Sequence, residues 1–141
     1  MRKILVCLRQ NDSSGAALRW AAERAVADGG TLHVVTAVPP VVLGCAGPFV
    51  SPLGFDTDAL LRGLQEHQIS VVAELLAGST LPEIGCAVVF GSEFDVLRSA
   101  ARDMDVVVLG ASRGLRSRHL HRRCSRYLPC PVVSVGSAGL V

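Results

Sequence analysis

The chain is poor in the features that mark most catalytic, metal-binding and membrane proteins, and these gaps narrow the reading first. Its five cysteines (Cys7, Cys45, Cys86, Cys124, Cys130) include no Cys-x-x-Cys pair, and the number is odd, which argues against a disulfide framework. Cys7 and Cys86 lie inside apolar strand-like runs, where cysteine behaves as a small buried hydrophobe. Cys124 and Cys130, with His119 and His121, lack the ligand spacing of a zinc site, so no metal is expected. Met1-Arg2-Lys3 leads into only five apolar residues, Ile4–Leu8, before Arg9, too few for a secretory leader. No apolar run approaches the ~20 residues that span a bilayer, so a cytoplasmic protein with no membrane partner is expected. No carboxylate pair, nucleophile–base arrangement or metal cluster has diagnostic spacing, so the chain is not expected to be an enzyme. The net charge of +2 is too small to argue for a nucleic-acid partner.

What is present is enough for one packed domain. A chain of 141 residues, half hydrophobic and 18% charged, buries ~68–70% of the surface its unfolded form exposes. We read residues 1–141 as a single domain without a linker or an internal repeat. Lys3–Leu8 is a short apolar strand, and Asp12, Ser13 and Ser14 offer helix N-caps. Ala17, Leu18, Ala21, Ala22 and Ala25 follow at helical spacing until Gly29-Gly30, a C-terminal stop. Thr31–Val38 is a second strand, and a loop rich in Gly and Pro runs from Pro39 to about Gly54. A long helix carries Leu60, Leu61, Leu64, Val71, Val72, Leu75 and Leu76. Cys86–Phe90 is a third strand, and Ser92-Glu93-Phe94-Asp95 has the pattern of a capping box opening a third helix. Val106–Leu109 reads as a strand buried on both faces. A turn follows at Gly110–Gly114, then a helix near Arg116–Tyr127 and a last strand, Val132–Val135. Alternation of this kind predicts an α/β fold, a three-layer α/β/α sandwich with a doubly wound, mostly parallel five-strand sheet.

In such sheets ligands sit beyond the carboxyl ends of the strands, where strand order reverses. The turn after the fourth strand is the most suggestive segment. Its glycines let backbone N–H groups approach an anion, the helix that follows carries partial positive charge, and arginines crowd it. Arg116, Arg118, Arg122 and Arg123 could equally form a solvated helix face, which is the reading preferred over nucleic-acid contact.

Several stretches resemble the universal stress protein family. Ile4–Leu8 followed by Ala16–Glu23 resembles its opening strand and helix, and Thr31–Val38 resembles its second strand. Val89-Phe90-Gly91-Ser92, Asp103–Gly110 and Pro129-Cys130-Pro131-Val132-Val133-Ser134-Val135 resemble the later landmarks, in the right order over essentially the whole chain. The resemblance implies an adenine nucleotide alpha hydrolase-like fold with strand order 3-2-1-4-5. It also implies a stress-response protein that forms a homodimer through its last strand, here Val132, Val133 and Val135.

One branch of the family binds ATP, and this chain departs from that branch at two places. The binders resemble Gly-x-x-Gly, nine residues, then Gly-Ser or Gly-Thr after the fourth strand. Gly110 matches the first glycine, but the next, Gly114, comes one position late. Counting on from Gly114 puts Cys124-Ser125 at the Gly-Ser position, and counting back from Pro131 puts Arg118-His119 there. The second register leaves room for the fourth helix, with a phosphate loop about six residues shorter and no close backbone approach. Where binders carry an acidic residue for the ribose, this chain has Arg9, which has no acceptor. Ala37 matches a position whose backbone faces adenine.

The candidate nucleotide or anion cleft therefore consists of Arg9, Ala37, Gly110, Arg113, Gly114 and Arg118. The preferred expectation is a non-catalytic regulatory protein that dimerises, binds an unidentified protein partner and needs no cofactor. The alternative is a sensor of ATP or another anion using a remodelled loop from Gly110 to Arg118.

Overall fold

Strands that are apolar on both faces need cover from two helical layers, and the structure supplies it. The computed structural model describes residues 2–9, 12–38, 57–111, 115–136 and 139–140. In chain order the elements are β1 (Lys3–Cys7), α1 (Asp12–Asp28), β2 (Thr31–Val38), α2 (Thr57–Leu75), β3 (Glu83–Phe90) and α3 (Glu93–Ala100). A 3-10 turn (Ala101–Asp103) leads on to β4 (Val106–Gly110), α4 (Leu115–Tyr127), β5 (Val132–Gly136) and β6 (Gly139–Leu140). The sheet runs β3-β2-β1-β4-β5-β6. The first five strands are parallel in the expected order 3-2-1-4-5. β6 was not anticipated, and it pairs antiparallel with β5 at Val135↔Leu140 and Gly136↔Gly139.

Alternation along β1 divides the core in two. Ile4, Val6 and Leu8 face α1 and α2, packing against Leu18, Ala21, Ala25, Val72 and Leu76. Leu5 and Cys7 face the other way, against Phe94, Leu97, Leu120 and Cys124 of α3 and α4. The alanine-rich side of α1 brings that helix close to the sheet, because Ala17, Ala21 and Ala25 are fully buried.

The turn from α1 to β2 needs both of its glycines. Gly29 has φ 65°, the left-handed conformation of a helix C-cap, and a β-carbon on Gly30 would collide with the backbone carbonyl of Arg2. β3 begins three residues before the expected Cys86, because Glu83, Ile84 and Gly85 continue the ladder on Thr31, Leu32 and His33. At α3 the Ser92 hydroxyl accepts from the Asp95 N–H and donates to the Asp95 carboxylate (2.9 Å). The expected capping signal is thus real, with the reciprocal bond made between side chains.

Candidate functional site

The carboxyl rim of the sheet opens between its two central strands. β1 lies between β2 and β4, so chain order reverses there. Backbone bonds carry the ladder just past the strand ends, from the Leu8 N–H to the Val35 carbonyl (2.8 Å) and from the Ala111 N–H to the Val135 carbonyl (2.8 Å).

On the β1–β2 side the rim encloses a cavity of about 420 Å³ between α1, α2 and the sheet. Leu64, Val71, Leu75 and Val88 supply its apolar wall, and Arg9, Arg19, His67 and Gln68 supply its polar groups. The Gln68 amide is 3% exposed and donates to Thr36 Oγ1 (2.9 Å) and the Ala87 carbonyl (2.9 Å). Its Oε1 is buried without a hydrogen-bond partner among the described residues.

Arg9 sits at this rim. Its backbone N–H donates to Ser14 Oγ (2.9 Å), so the first turn of α1 holds the end of β1. Its Nε lies 2.8 Å from Glu93 Oε2 at the start of α3. That oxygen is buried yet accepts no hydrogen bond among the described residues, so the contact is an ion pair by distance and is not aligned along the N–H. The guanidinium therefore bridges the two layers across the rim.

On the β4 side the chain is short. β4 ends at Gly110 and α4 begins at Leu115, leaving only residues 111–114 between them. Ser117 donates from its hydroxyl to the Gly110 carbonyl (3.4 Å), tying the first turn of α4 to the strand end. Arg118 and His119 already lie inside the helix and are exposed, while Cys124-Ser125 lie near its far end.

Of the expected cleft residues, Arg9 lines the cavity. Ala37 is half-buried on the opposite face of β2, against the core beneath α3 and α4. Gly110 is buried at the end of β4. Arg113 and Gly114 lie outside the described residues, as does the loop from Pro39 to Gly54.

Sequence reasoning missed three arrangements. One is the Arg9–Glu93 pair and another is the buried Gln68. The third joins His121, whose Nδ1 is 2.7 Å from Ser134 Oγ and whose Nε2 is 3.4 Å from Ser125 Oγ. A hydroxyl beside an imidazole is half of a nucleophile–base device. Among the described residues no carboxylate orients the ring, and the contact ties α4 to β5. Residues so far apart in sequence give no local signal. No group of three or more metal-ligating side chains occurs among the described residues, Cys124, Cys130, His119 and His121 included. No described helix is long and apolar enough to cross a membrane.

Two thiols record the dryness of the interior. Burial pushes Cys7 up to about 12, helped by the Glu93 carboxylate and opposed by Arg9. Burial pushes Cys124 up to about 11, opposed by the Arg123 guanidinium.

The universal stress protein family matches residues 1–136 in sequence. The chain belongs to that family. Among solved structures it is similar to the universal stress protein UspA from Lactobacillus plantarum. The two share 18% identity and a TM-score of 0.65, over 94% of this chain and 96% of that one. A universal stress protein in complex with cAMP gives 20% identity and TM-score 0.66, over 96% of both chains. One from Archaeoglobus fulgidus in complex with dAMP gives 18% identity and TM-score 0.61, over 95% of this chain and 97% of that one. No curated relative matches in sequence. At these identities the solved structures establish the universal stress protein fold, with cAMP and dAMP as ligands of those two proteins.

Proposed function

We propose that this chain is a non-catalytic universal stress protein that works through protein contacts, self-association among them, and does not hold ATP in the manner of the family's binders. The observation that carries this reading is the connection from Gly110 to Leu115. Four residues supply fewer backbone N–H groups than the longer loop of the family's binders, and those N–H groups are what would cradle a triphosphate. Arg9 adds to it, since a guanidinium paired with Glu93 offers the ribose hydroxyls no acceptor. For self-association, an apolar edge strand favours cover by a second chain. β6 takes the outer edge of β5 at Val135 and Gly136, so the proposed pairing starts from Val132 to Ser134.

The test is calorimetric titration with ATP and magnesium, after acid extraction to detect nucleotide carried through purification. No heat and no extracted nucleotide are expected. Stoichiometric binding at micromolar affinity would overturn the reading.

The cavity beside Arg9 favours a second reading, a sensor of a smaller nucleotide or another small molecule. Titration with AMP and cAMP separates the two, because neither needs a triphosphate loop. Binding of either, with ATP silent, would replace the first reading by the second.

A further inference from the structure

We propose that the exposed face of α4 docks an acidic protein segment whose carboxylates are spaced about 6 Å apart. The inference rests on the partner-binding reading of function and supplies its surface. Between Leu115 and Tyr127 the helix contains no acidic residue. Arg118, Arg122 and Arg126 are exposed and follow one another four residues apart, a stripe with steps of ~6 Å along the helix. Among the described residues, neither these three nor Arg123 stands within ion-pair distance of a carboxylate. The contrast with α1 is direct, because there Arg24 is paired with Asp28 one turn on.

An unrelieved stripe of this kind costs the free protein stability. Like charges four apart repel, and cations near a helix N-terminus oppose its dipole. A bound row of carboxylates would relieve both. The guanidinium of Arg123 is also held in place, its Cζ 4.0 Å from the centroid of the buried Phe94 ring. A cation–π contact uses none of its N–H groups as a conventional hydrogen bond and leaves them for an acceptor.

The chemistry favours protein over nucleic acid. The sequence pI of about 8.4 falls short of the pI above ~9 expected of a nucleic-acid-binding domain. The stripe also ends in apolar groups, with Leu115 82% exposed and Tyr127 59% exposed. Arginine beside aromatic and apolar surface is the composition of protein interfaces. Alternate residues of an extended segment lie ~6.6 Å apart, which matches the arginine steps.

The experiment is fluorescence anisotropy on the full chain with a labelled peptide of alternating Glu and Ser, about 12 residues long so that it spans the stripe. Micromolar binding at low salt is expected. Arg118→Glu with Arg122→Glu should weaken it at least about tenfold, while Arg62→Glu on α2 should leave it unchanged. Arg118→Lys with Arg122→Lys keeps the charge and removes the fork, so a loss of roughly threefold or more is expected; this pair also guards against misfolding of the reversal variant. Undiminished binding by either double variant would overturn the proposal. So would tighter binding of a duplex DNA of equal charge, which would assign the face to nucleic acid. Failure of the peptide with ATP also silent removes this surface alone and leaves the partner-binding reading standing. Binding of ATP removes that reading whatever the peptide does.

Discussion

The two sides of the carboxyl rim have been treated differently. On the β1–β2 side, Ser14 ties down the turn after Leu8, and Gln68 reaches from α2 to β2 and β3 at the cavity wall. On the β4–β5 side the chain enters α4 after four residues, and Ser117 takes the Gly110 carbonyl. A pocket survives where the connection between layers is made by side chains. On the proposed reading, the same short connection that leaves out a phosphate loop also brings a run of arginines onto one exposed helical face.

The largest expected effect comes from breaking the wall on the first side. Gln68→Ala removes two hydrogen bonds and enlarges the cavity, at a cost of about 2–4 kcal/mol in chemical denaturation. Gln68→Met restores volume without the bonds and should recover about half of that loss. Equal losses in the two variants would mean that volume contributes nothing, and the cavity is not a packed wall.

Arg9 tests the link between the sides. Its side chain is 18% exposed and that of Glu93 36%, so the pair lies between the surface and buried limits. Arg9→Ala should cost about 1–2 kcal/mol, mostly from leaving the buried Glu93 oxygen unpaired. Arg9→Asp restores the acidic residue of the ATP-binding branch, yet it should not restore ATP binding by calorimetry, because the connection after β4 is still four residues. Micromolar binding by that variant would show that the ribose side alone decides, whatever the length of the connection after β4.

The fold was legible for a definite physical reason. A strand buried on both faces must be apolar without interruption, as Val106–Leu109 is, and a helix packed close to a sheet must be small-sided, as Ala17, Ala21 and Ala25 are. Both constraints are written locally. β6 escaped notice because a two-residue strand has no periodicity. At the site, Gly110 and Arg9 could be placed, and counting residues back from Pro131 left room for α4, which runs from Leu115. The Arg9–Glu93 pair, the Gln68 contacts and the His121–Ser134 contact could not be inferred, since each joins elements that only the folded sheet brings together. Arg118, Arg122 and Arg123 were visible as part of a cluster, but their lack of an acidic partner among the described residues is a property of three dimensions.

The smallest effect compares two thiols of one core layer, Cys7 in β1 and Cys124 in α4. Both are pushed up by burial, from the ordinary 9.0 to about 12 and about 11. The folded state therefore keeps protons that the unfolded chain releases above pH 9. The stabilisation is complete below pH 9 and is lost progressively as pH rises towards 11 for Cys124 and 12 for Cys7. By pH 10 each thiol should have cost roughly 1 kcal/mol. Cys7→Ala and Cys124→Ala should each flatten the fall in stability between about pH 9 and pH 11 relative to the parent. Glu93 adds to the effect of burial on both thiols, and an arginine works against it on each, Arg9 on Cys7 and Arg123, ahead of Glu93, on Cys124. Iodoacetamide labelling read by mass spectrometry should then reach Cys124 before Cys7 as pH rises. Arg123→Ala should narrow that gap by raising the Cys124 thiol. A gap that stays the same would mean the guanidinium over Phe94 is screened from the core, and the charge of α4 acts only outward.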